Sequence, residues 1–199
     1  MIHPVKRKNI SRLSAIVPKW DLDFFLLILS LSAGIITGLV RPNFLSQEDL
    51  EGLILSLKQF AATFDVMSSG LPAFLESLLR YGRFFLMMWA CLLVPWGRRA
   101  VYLLLYLRSM TIGFSFSMMI ITFGASGILM AFALYALQNI IIMPVFAFTS
   151  LCIARKKISI DANTGNIRLT VRLAVIGAIS VMLASFIEIS LAPFLFEIL

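Results

Sequence analysis

The chain has 199 residues, of which 60% are hydrophobic and only 14% are charged, and its mean hydropathy is +0.97. This composition excludes an ordinary water-soluble domain and a disordered chain, because the apolar residues fall into runs long enough to cross a membrane. The net charge of +7 raises the alternative of nucleic-acid binding. The basic residues lie at the ends of apolar runs with no aromatic platform among them, so we expect no nucleic-acid partner.

The first elements are a basic segment, residues 1–22, which we expect to be cytoplasmic, and a first span, residues 23–40. A cleaved signal peptide is the alternative, but the long basic region and the lack of an A-x-A-like site favour an uncleaved anchor. Gly34 and Gly38 lie on one face of this span, and their spacing permits another helix to approach closely.

An acidic amphipathic segment, residues 46–79, follows the first span, and Ser46 and Asp49 resemble a helix cap at its start. Its apolar residues recur at intervals of three and four, which indicates one helical face. The residues of this face are Leu50, Leu53, Ile54, Leu57, Phe60 and Phe64. Three arrangements are open for it: contact with the outer leaflet, contact with a partner outside the membrane, or packing on the protein's own spans.

The second predicted span, residues 81–96, is short, and the third, residues 100–123, follows a tight turn. Arg108 lies ~12 Å inside the third span, too deep for a boundary charge, and a guanidinium at that depth requires a carboxylate or several carbonyl groups. Gly113 belongs to a face of small residues on the same span.

The fourth predicted span, residues 127–153, contains the adjacent amides Gln138 and Asn139, with Pro144 shortly after them. Each unpaired amide group in hydrocarbon costs several kcal/mol, so both side chains are expected to face other helices. Pro144 is expected to kink the span. The turn before this span is very short, which makes spans three and four antiparallel neighbours and puts Arg108 within reach of the amides.

A basic loop, residues 154–172, is expected to be cytoplasmic, and it precedes the last span, residues 173–196. Gly177 and Glu188 share one face of that span, and Pro193 follows them. A carboxylate at the depth of Glu188 should face protein rather than lipid. The residues predicted to form one polar seam between spans three, four and five are Arg108, Gln138, Asn139 and Glu188.

Basic residues are concentrated in alternate loops, which is the positive-inside pattern. The sequence therefore predicts an all-α integral membrane protein with five transmembrane helices and an extracytoplasmic amphipathic helical segment between spans one and two. The N-terminus is expected in the cytoplasm and residues 197–199 outside. A single histidine, two cysteines within apolar runs, and the lack of a G-x-S-x-G or phosphate-loop motif indicate no catalytic, metal or cofactor site.

Three stretches of the sequence resemble stage II sporulation protein M of endospore-forming bacteria. They are Arg108 with Gly113-Phe114, the run from Gln138 to Phe146, and Phe186-Ile187-Glu188 with Ala192-Pro193. The glutamine-asparagine run that ends in proline and phenylalanine is the most specific of the three, although Leu137 stands where a proline is expected. The likeness extends over the whole chain, including the five-span layout.

The resemblance implies a non-enzymatic component of the engulfment machinery, in the mother-cell or septal part of the bacterial plasma membrane. The family works with stage II sporulation proteins D and P, peptidoglycan hydrolases that the M protein localises and holds while the septal wall is thinned. From the residues alone, a transporter or permease-like subunit is the alternative, because intramembrane ionisable groups often mark a transport path. The small-residue faces of spans one and three permit a homo-oligomer and suit packing within one subunit equally well.

Overall fold

The computed structural model describes residues 22–67, 71–91, 96–154 and 164–198, and the regular structure in these ranges is entirely helical. The helices are α1 (Leu22–Val40), α2 (Gln47–Met67), α3 (Leu71–Ala90), α4 (Gly97–Phe123), α5 (Ala125–Ala131), α6 (Leu137–Ala154) and α7 (Thr164–Ile198). A 3₁₀ turn, Arg41–Phe44, follows α1, and a π-helical turn, Phe132–Ala136, joins α5 to α6. The all-α class predicted from the sequence is confirmed, whereas the basic segment before residue 22 and the basic residues 155–157 lie outside the described ranges.

Three stretches are long and apolar enough to cross a membrane: Leu22–Phe44, Arg99–Phe123 and Thr170–Ser190. Only 17% to 33% of each stretch is buried within the protein itself. Most of their apolar side chains therefore lie on the surface, which is compatible with helices that face lipid. Gln138–Ile153 is a further apolar helix but is shorter.

The helix α1 packs along α4 through glycines that leave no room for side chains. A Cβ atom on Gly34 would lie 2.7 Å from Ser109 Cβ, and one on Gly38 would collide with the carbonyl oxygen of Met110. Gly113 is seated against the backbone of α1 in the same way. These small residues are thus used for packing within one chain, and because their contacts advance together along both helices, α1 and α4 run parallel.

The other helices alternate in direction. Gly127 at the start of α5 packs against the last turns of α4, so the chain folds back on itself there. On α7, Gly177 lies under the ring of Phe85, whereas Glu188 contacts Ser77, which precedes Phe85 on α3. The helices α3 and α7 are therefore antiparallel. Tyr81 contacts Gln138 and Met88 contacts Ser150, so α3 and α6 are parallel. Consequently α1, α4 and α7 point one way, and α3 and the α5–α6 segment point the other way.

The helix α3 runs without a break across the boundary that the sequence suggests between the amphipathic segment and the second span. Its buried residues, Ser77, Tyr81, Phe85 and Met88, are spaced by four, four and three positions and form one face. This face packs α3 against the bundle, and it continues across the predicted boundary at residues 79–81. Residues 92–95 of the predicted span lie outside the described ranges.

The fourth predicted span is not one regular α-helix. It is interrupted by the π-helical turn, which ends two residues before Gln138, and α6 then continues through Pro144 to Ala154. A π turn holds one more residue than an α turn, so it rotates the residues before it relative to those after it. The departure from α-helical geometry therefore lies at residues 132–136, whereas the sequence predicted a kink at Pro144.

The last helix, α7, begins at Thr164, inside the predicted basic loop, and continues through the predicted start of the span at residue 173. The second half of that loop is thus helical.

Three aromatic rings of α3 and α6 pack together in the core. Phe146 on α6 is fully buried, with its ring centroid 5.2 Å from that of Phe84 and 6.0 Å from that of Phe85.

The helix α2 begins at the predicted cap, where the Asp49 N–H donates a hydrogen bond to Ser46 Oγ at 3.1 Å. Leu57 packs against the buried cluster of Met119, Ala131 and Leu134, contributed by α4, α5 and the π-helical turn. Of the three arrangements open for this segment, the contact of Leu57 therefore corresponds to packing on the protein's own helices.

Candidate functional site

Seven polar side chains from four helices form two contact groups that meet on α3, and together we call them the polar layer. Its members are Ser77, Arg80 and Tyr81 on α3, Arg108 on α4, Gln138 and Asn139 on α6, and Glu188 on α7. The sequence predicted the four members on α4, α6 and α7, and the structure connects them through α3.

Gln138 is joined to α3 by a hydrogen bond in the protein interior. The Tyr81 hydroxyl donates to Gln138 Oε1 at 2.7 Å, and the two residues are 3% and 1% exposed. A hydrogen bond enclosed in this way is costly to break, because water cannot replace the lost partner. Gln138 Nε2 is also buried and has no partner among the described residues.

Asn139 connects α4 to the π-helical turn. Its Oδ1 accepts a hydrogen bond from Arg108 Nη2 at 3.3 Å, and its Nδ2 donates to the carbonyl oxygen of Tyr135 at 2.5 Å. A side-chain amide thus satisfies a backbone carbonyl at the point where regular α-helical hydrogen bonding is interrupted. The two amides predicted to avoid lipid are both buried, and each faces a different neighbouring helix.

The Arg108 guanidinium lies over two aromatic rings of α3. Its Cζ is 5.4 Å from the centroid of the Tyr81 ring and 5.8 Å from that of Phe84. Both distances fall within the range of a cation–π interaction, which strengthens where water is excluded. No carboxylate of the described residues forms an ion pair with Arg108. The expected carboxylate or carbonyl groups are replaced by one amide oxygen and two ring faces, and Nε stays unpaired within the described part of the chain.

Glu188 pairs with α3 instead of with Arg108. It accepts hydrogen bonds from Ser77 Oγ at 2.5 Å and from Arg80 Nη1 at 3.1 Å. The Arg80 side chain is 54% exposed and that of Glu188 15%, so this ion pair lies at the surface of the bundle. Ser77 is only 2% exposed, and its bond to the carboxylate is therefore the better protected of the two.

The members of the polar layer on α3 were not predicted, because the predicted boundary between the amphipathic segment and the second span falls at residues 79–81 and assigns Ser77 and Tyr81 to different elements. The available signal was the spacing of Ser77, Tyr81, Phe85 and Met88, which places a serine and a tyrosine on the same face as two large apolar residues. A polar residue on a buried helical face requires a partner, and here the partners come from α6 and α7.

The predicted packing and kink residues have varied environments. Gly34, Gly38 and Gly113 form the α1–α4 crossing, and Gly177 accommodates the Phe85 ring. Pro144 is exposed on α6. Pro193 lies on α7, but its side chain is outside the described part of the structure.

The predicted face of α2 is partly covered. Leu50, Leu53, Ile54 and Leu57 are half-buried, whereas Phe60 is 42% exposed. Phe64 lies on the same helix at a position whose side chain is not described. This face is therefore turned toward the bundle over most of its described length, and the opposite face of α2 is available to other molecules.

In chemical terms the polar layer connects helices in pairs and does not gather groups around one point. Among the described residues, no group of three or more His, Cys, Asp or Glu side chains is placed to hold a metal ion. The arrangement can fix helix register and can offer the unpaired donors of Arg108 and Gln138 to an acceptor. Comparisons of the chain with models of protein families, with curated proteins and with solved structures find no match.

Proposed function

We propose that this protein is a non-enzymatic membrane scaffold that holds two peptidoglycan hydrolases, stage II sporulation proteins D and P, at the septum during engulfment. The proposal starts from the resemblance in the run from Gln138 to Phe146. The observation that carries it is the placement of α2, which rests on the bundle through Leu57 and leaves its opposite face exposed.

The directions of the helices support the proposed five-span topology. The three stretches able to cross a membrane belong to α1, α4 and α7, which point the same way. If all three cross the bilayer, the chain must cross back between them twice. The helix α3 has 20 residues, or about 30 Å of rise, enough for one return, and the α5–α6 segment supplies the other. With the basic loops inside, α2 then lies on the cell-wall side of the plasma membrane.

The exposed face of α2 has the character of a contact surface for a protein. Leu55 is 58% exposed, and the acidic residues Glu48 and Glu51 lie on the same side of the helix. An exposed leucine within a charged surface is a plausible anchor, because its burial on binding removes apolar area from water while the surrounding charges give selectivity. We therefore assign the hydrolase contact to this face, with Leu55 at its centre.

The test is recovery of the two hydrolases with the full-length protein from detergent-solubilised sporangial membranes. Leu55→Glu should lower the recovery of at least one hydrolase about tenfold, because a charge replaces the buried anchor. Ser56→Glu, which adds the same charge at the next exposed position of α2, should leave recovery unchanged. Equal recovery with Leu55→Glu and with the unmodified protein would contradict the assignment. Digestion of peptidoglycan by the purified protein alone would contradict the scaffold itself.

A transporter or permease-like subunit is the second candidate, and the unpaired buried donors favour it. Arg108 Nε and Gln138 Nε2 belong to two side chains that both contact Tyr81, and each lacks an acceptor among the described residues. Such donors could bind the acceptor groups of a solute. Solute or ion flux into liposomes that contain this protein alone, lost in Arg108→Gln, would favour transport over the scaffold.

A further inference from the structure

One face of α3 is exposed along its length, opposite the face that packs in the bundle. Its large apolar residues include Leu79, Leu86 and Met87, which are 56%, 67% and 54% exposed. Leu79 and Leu86 are seven positions apart, or two helical turns, and Met87 is next to Leu86, so the three residues form one stripe. Glu76 and Arg83 are exposed on the same stripe. The stripe is therefore a largely apolar surface that contains charges in its middle.

Neither Glu76 nor Arg83 forms an ion pair with a described residue, and Arg83 is the charge that lies between the apolar residues of the stripe. Arg80 forms its ion pair with Glu188, but no carboxylate of the described residues pairs with Arg83. Glu76 lies seven positions before Arg83 on the same helix, or about 10 Å along the axis, beyond the separation of an ion pair. A cation on the outside of the bundle is thus left without a counter-charge within the described part of the chain.

With α3 crossing the bilayer, as proposed above, the depth of Arg83 makes this charge costly in lipid. It lies about 18 Å from Leu71 and about 10 Å from Ala90 along the helix axis, so neither end of α3 is close. The nearer end is the C-terminal one, yet side chains of a helix lean toward its N-terminus. The geometry of the helix therefore directs the guanidinium away from the nearer membrane surface. Unpaired charges at such positions mark functional contacts.

We propose that this stripe of α3 binds the membrane-spanning helix of a partner protein that carries a carboxylate at the depth of Arg83. A carboxylate forms two parallel hydrogen bonds with a guanidinium, and the pair is neutral in lipid. The apolar residues on both sides of Arg83 supply the packing surface for the rest of the partner helix. The inference rests on the proposed function in that α3 must span the membrane and the partner must have its own membrane anchor.

A second copy of this chain fits the stripe poorly. In a dimer with its twofold axis along the membrane normal, Arg83 would face Arg83 of the other copy at the same depth. Like charges in contact within lipid oppose association. Glu76 of the other copy would lie about 10 Å away along the axis and could not compensate. The charge pattern therefore selects a different, acidic helix.

The experiment uses the full-length protein in lipid nanodiscs and synthetic membrane-spanning peptides with a leucine-rich core. The peptides carry Glu, Gln or Lys at the central position, and binding is measured by energy transfer between fluorescent labels. We expect the Glu peptide to bind at least tenfold more tightly than the Gln peptide. Arg83→Gln should remove that preference, Arg83→Lys should retain part of it, and Arg83→Glu should transfer the preference to the Lys peptide. Arg41→Gln, at an exposed arginine just after α1, is the matched control and should change nothing.

Equal binding of the Glu and Gln peptides, or the same preference in Arg83→Gln, would overturn the inference. Association between two labelled copies of this protein that depends on Arg83, without peptide binding, would overturn it in favour of a dimer. The outcome is separable from that of the proposed function. Selective peptide binding without recovery of the hydrolases would retain the α3 contact and reject the scaffold, and recovery without selective binding would do the reverse.

Discussion

Tyr81 and Gln138 are joined by a hydrogen bond of 2.7 Å although 57 positions separate them in the chain. The bond connects α3 to α6, and the same tyrosine ring lies beneath the Arg108 guanidinium. One side chain therefore holds three helices, because its hydroxyl and its ring face have different partners. Tyr81 therefore links Gln138 of α6 to Arg108 of α4 within the polar layer.

Replacement of Tyr81 by phenylalanine tests this role while it keeps the ring. We expect Tyr81→Phe to lower the free energy of unfolding by about 1–2 kcal/mol, because Gln138 Oε1 is left buried without a donor. The measurement is unfolding in mixed micelles with increasing SDS, followed by circular dichroism. Tyr106→Phe, at a half-buried tyrosine of α4, is the control and should change the free energy by a few tenths of a kcal/mol at most. Equal losses in both variants would show that the hydroxyl bond does not contribute.

The two contacts of Glu188 are expected to differ in strength. Ser77→Ala should destabilise the protein by about 1.5–3 kcal/mol, because it removes a buried hydrogen bond to a charged group. Arg80→Gln should cost less, about 1 kcal/mol, because Arg80 lies at the surface of the bundle and glutamine can still donate a hydrogen bond to Glu188. Single and double variants with Glu188→Gln, unfolded in the same way, give the two coupling energies. A larger coupling for Arg80 than for Ser77 would contradict this order.

The crossing of α1 and α4 should be intolerant of a single methyl group. Gly38→Ala places a Cβ atom against the carbonyl oxygen of Met110, and we expect a loss of about 1–3 kcal/mol as the helices separate. Gly82→Ala is the matched control, since a Cβ atom there has no heavy atom within 4 Å. It should stabilise α3 by up to about 1 kcal/mol through helix propensity. If both variants were stabilised, the glycines would not be required for close approach.

Phe146 is the largest fully buried side chain among the described residues, and it offers a clean pair of variants. Phe146 is fully buried between Phe84 and Phe85, whereas Phe148 on the same helix is 55% exposed. Phe146→Ala should cost about 2 kcal/mol, less than in a water-soluble core, because lipid solvates the unfolded reference and mainly the cavity term remains. Phe148→Ala should cost well under half of that. Similar losses would place the two rings in equivalent environments, contrary to the structure.

Part of this architecture can be predicted from the sequence, because it depends on the chemistry of single residues and of their neighbours in the chain. The burial of Gln138 and Asn139 follows from the cost of an amide in lipid, and the helix start at Ser46 follows from cap chemistry. The glycines of α1 and α4 indicated a close approach, although the sequence could not distinguish contact within one chain from contact between two. The composition likewise indicated the helical class directly.

Other features depend on tertiary context and had no local signal. The π-helical turn at residues 132–136 is built from ordinary helix-compatible residues, and its Tyr135 carbonyl is satisfied by a side chain that also contacts α4. The partner of Glu188 could not be found by asking which residue balances its charge. Arg108 and Arg80 were both candidates, and the relative rotation of α3 and α7 decides between them.

The glycine crossing also bears on how the protein is made. The helix α1 is synthesised well before its closest partner, α4, which begins only at Gly97, after α2 and α3 have been made. Membrane helices insert individually and associate afterwards. Until α4 has been made, the surface around Gly34 and Gly38 therefore lacks its closest packing partner. In the proposed topology, this interval lasts until α3 and α4 have both entered the bilayer.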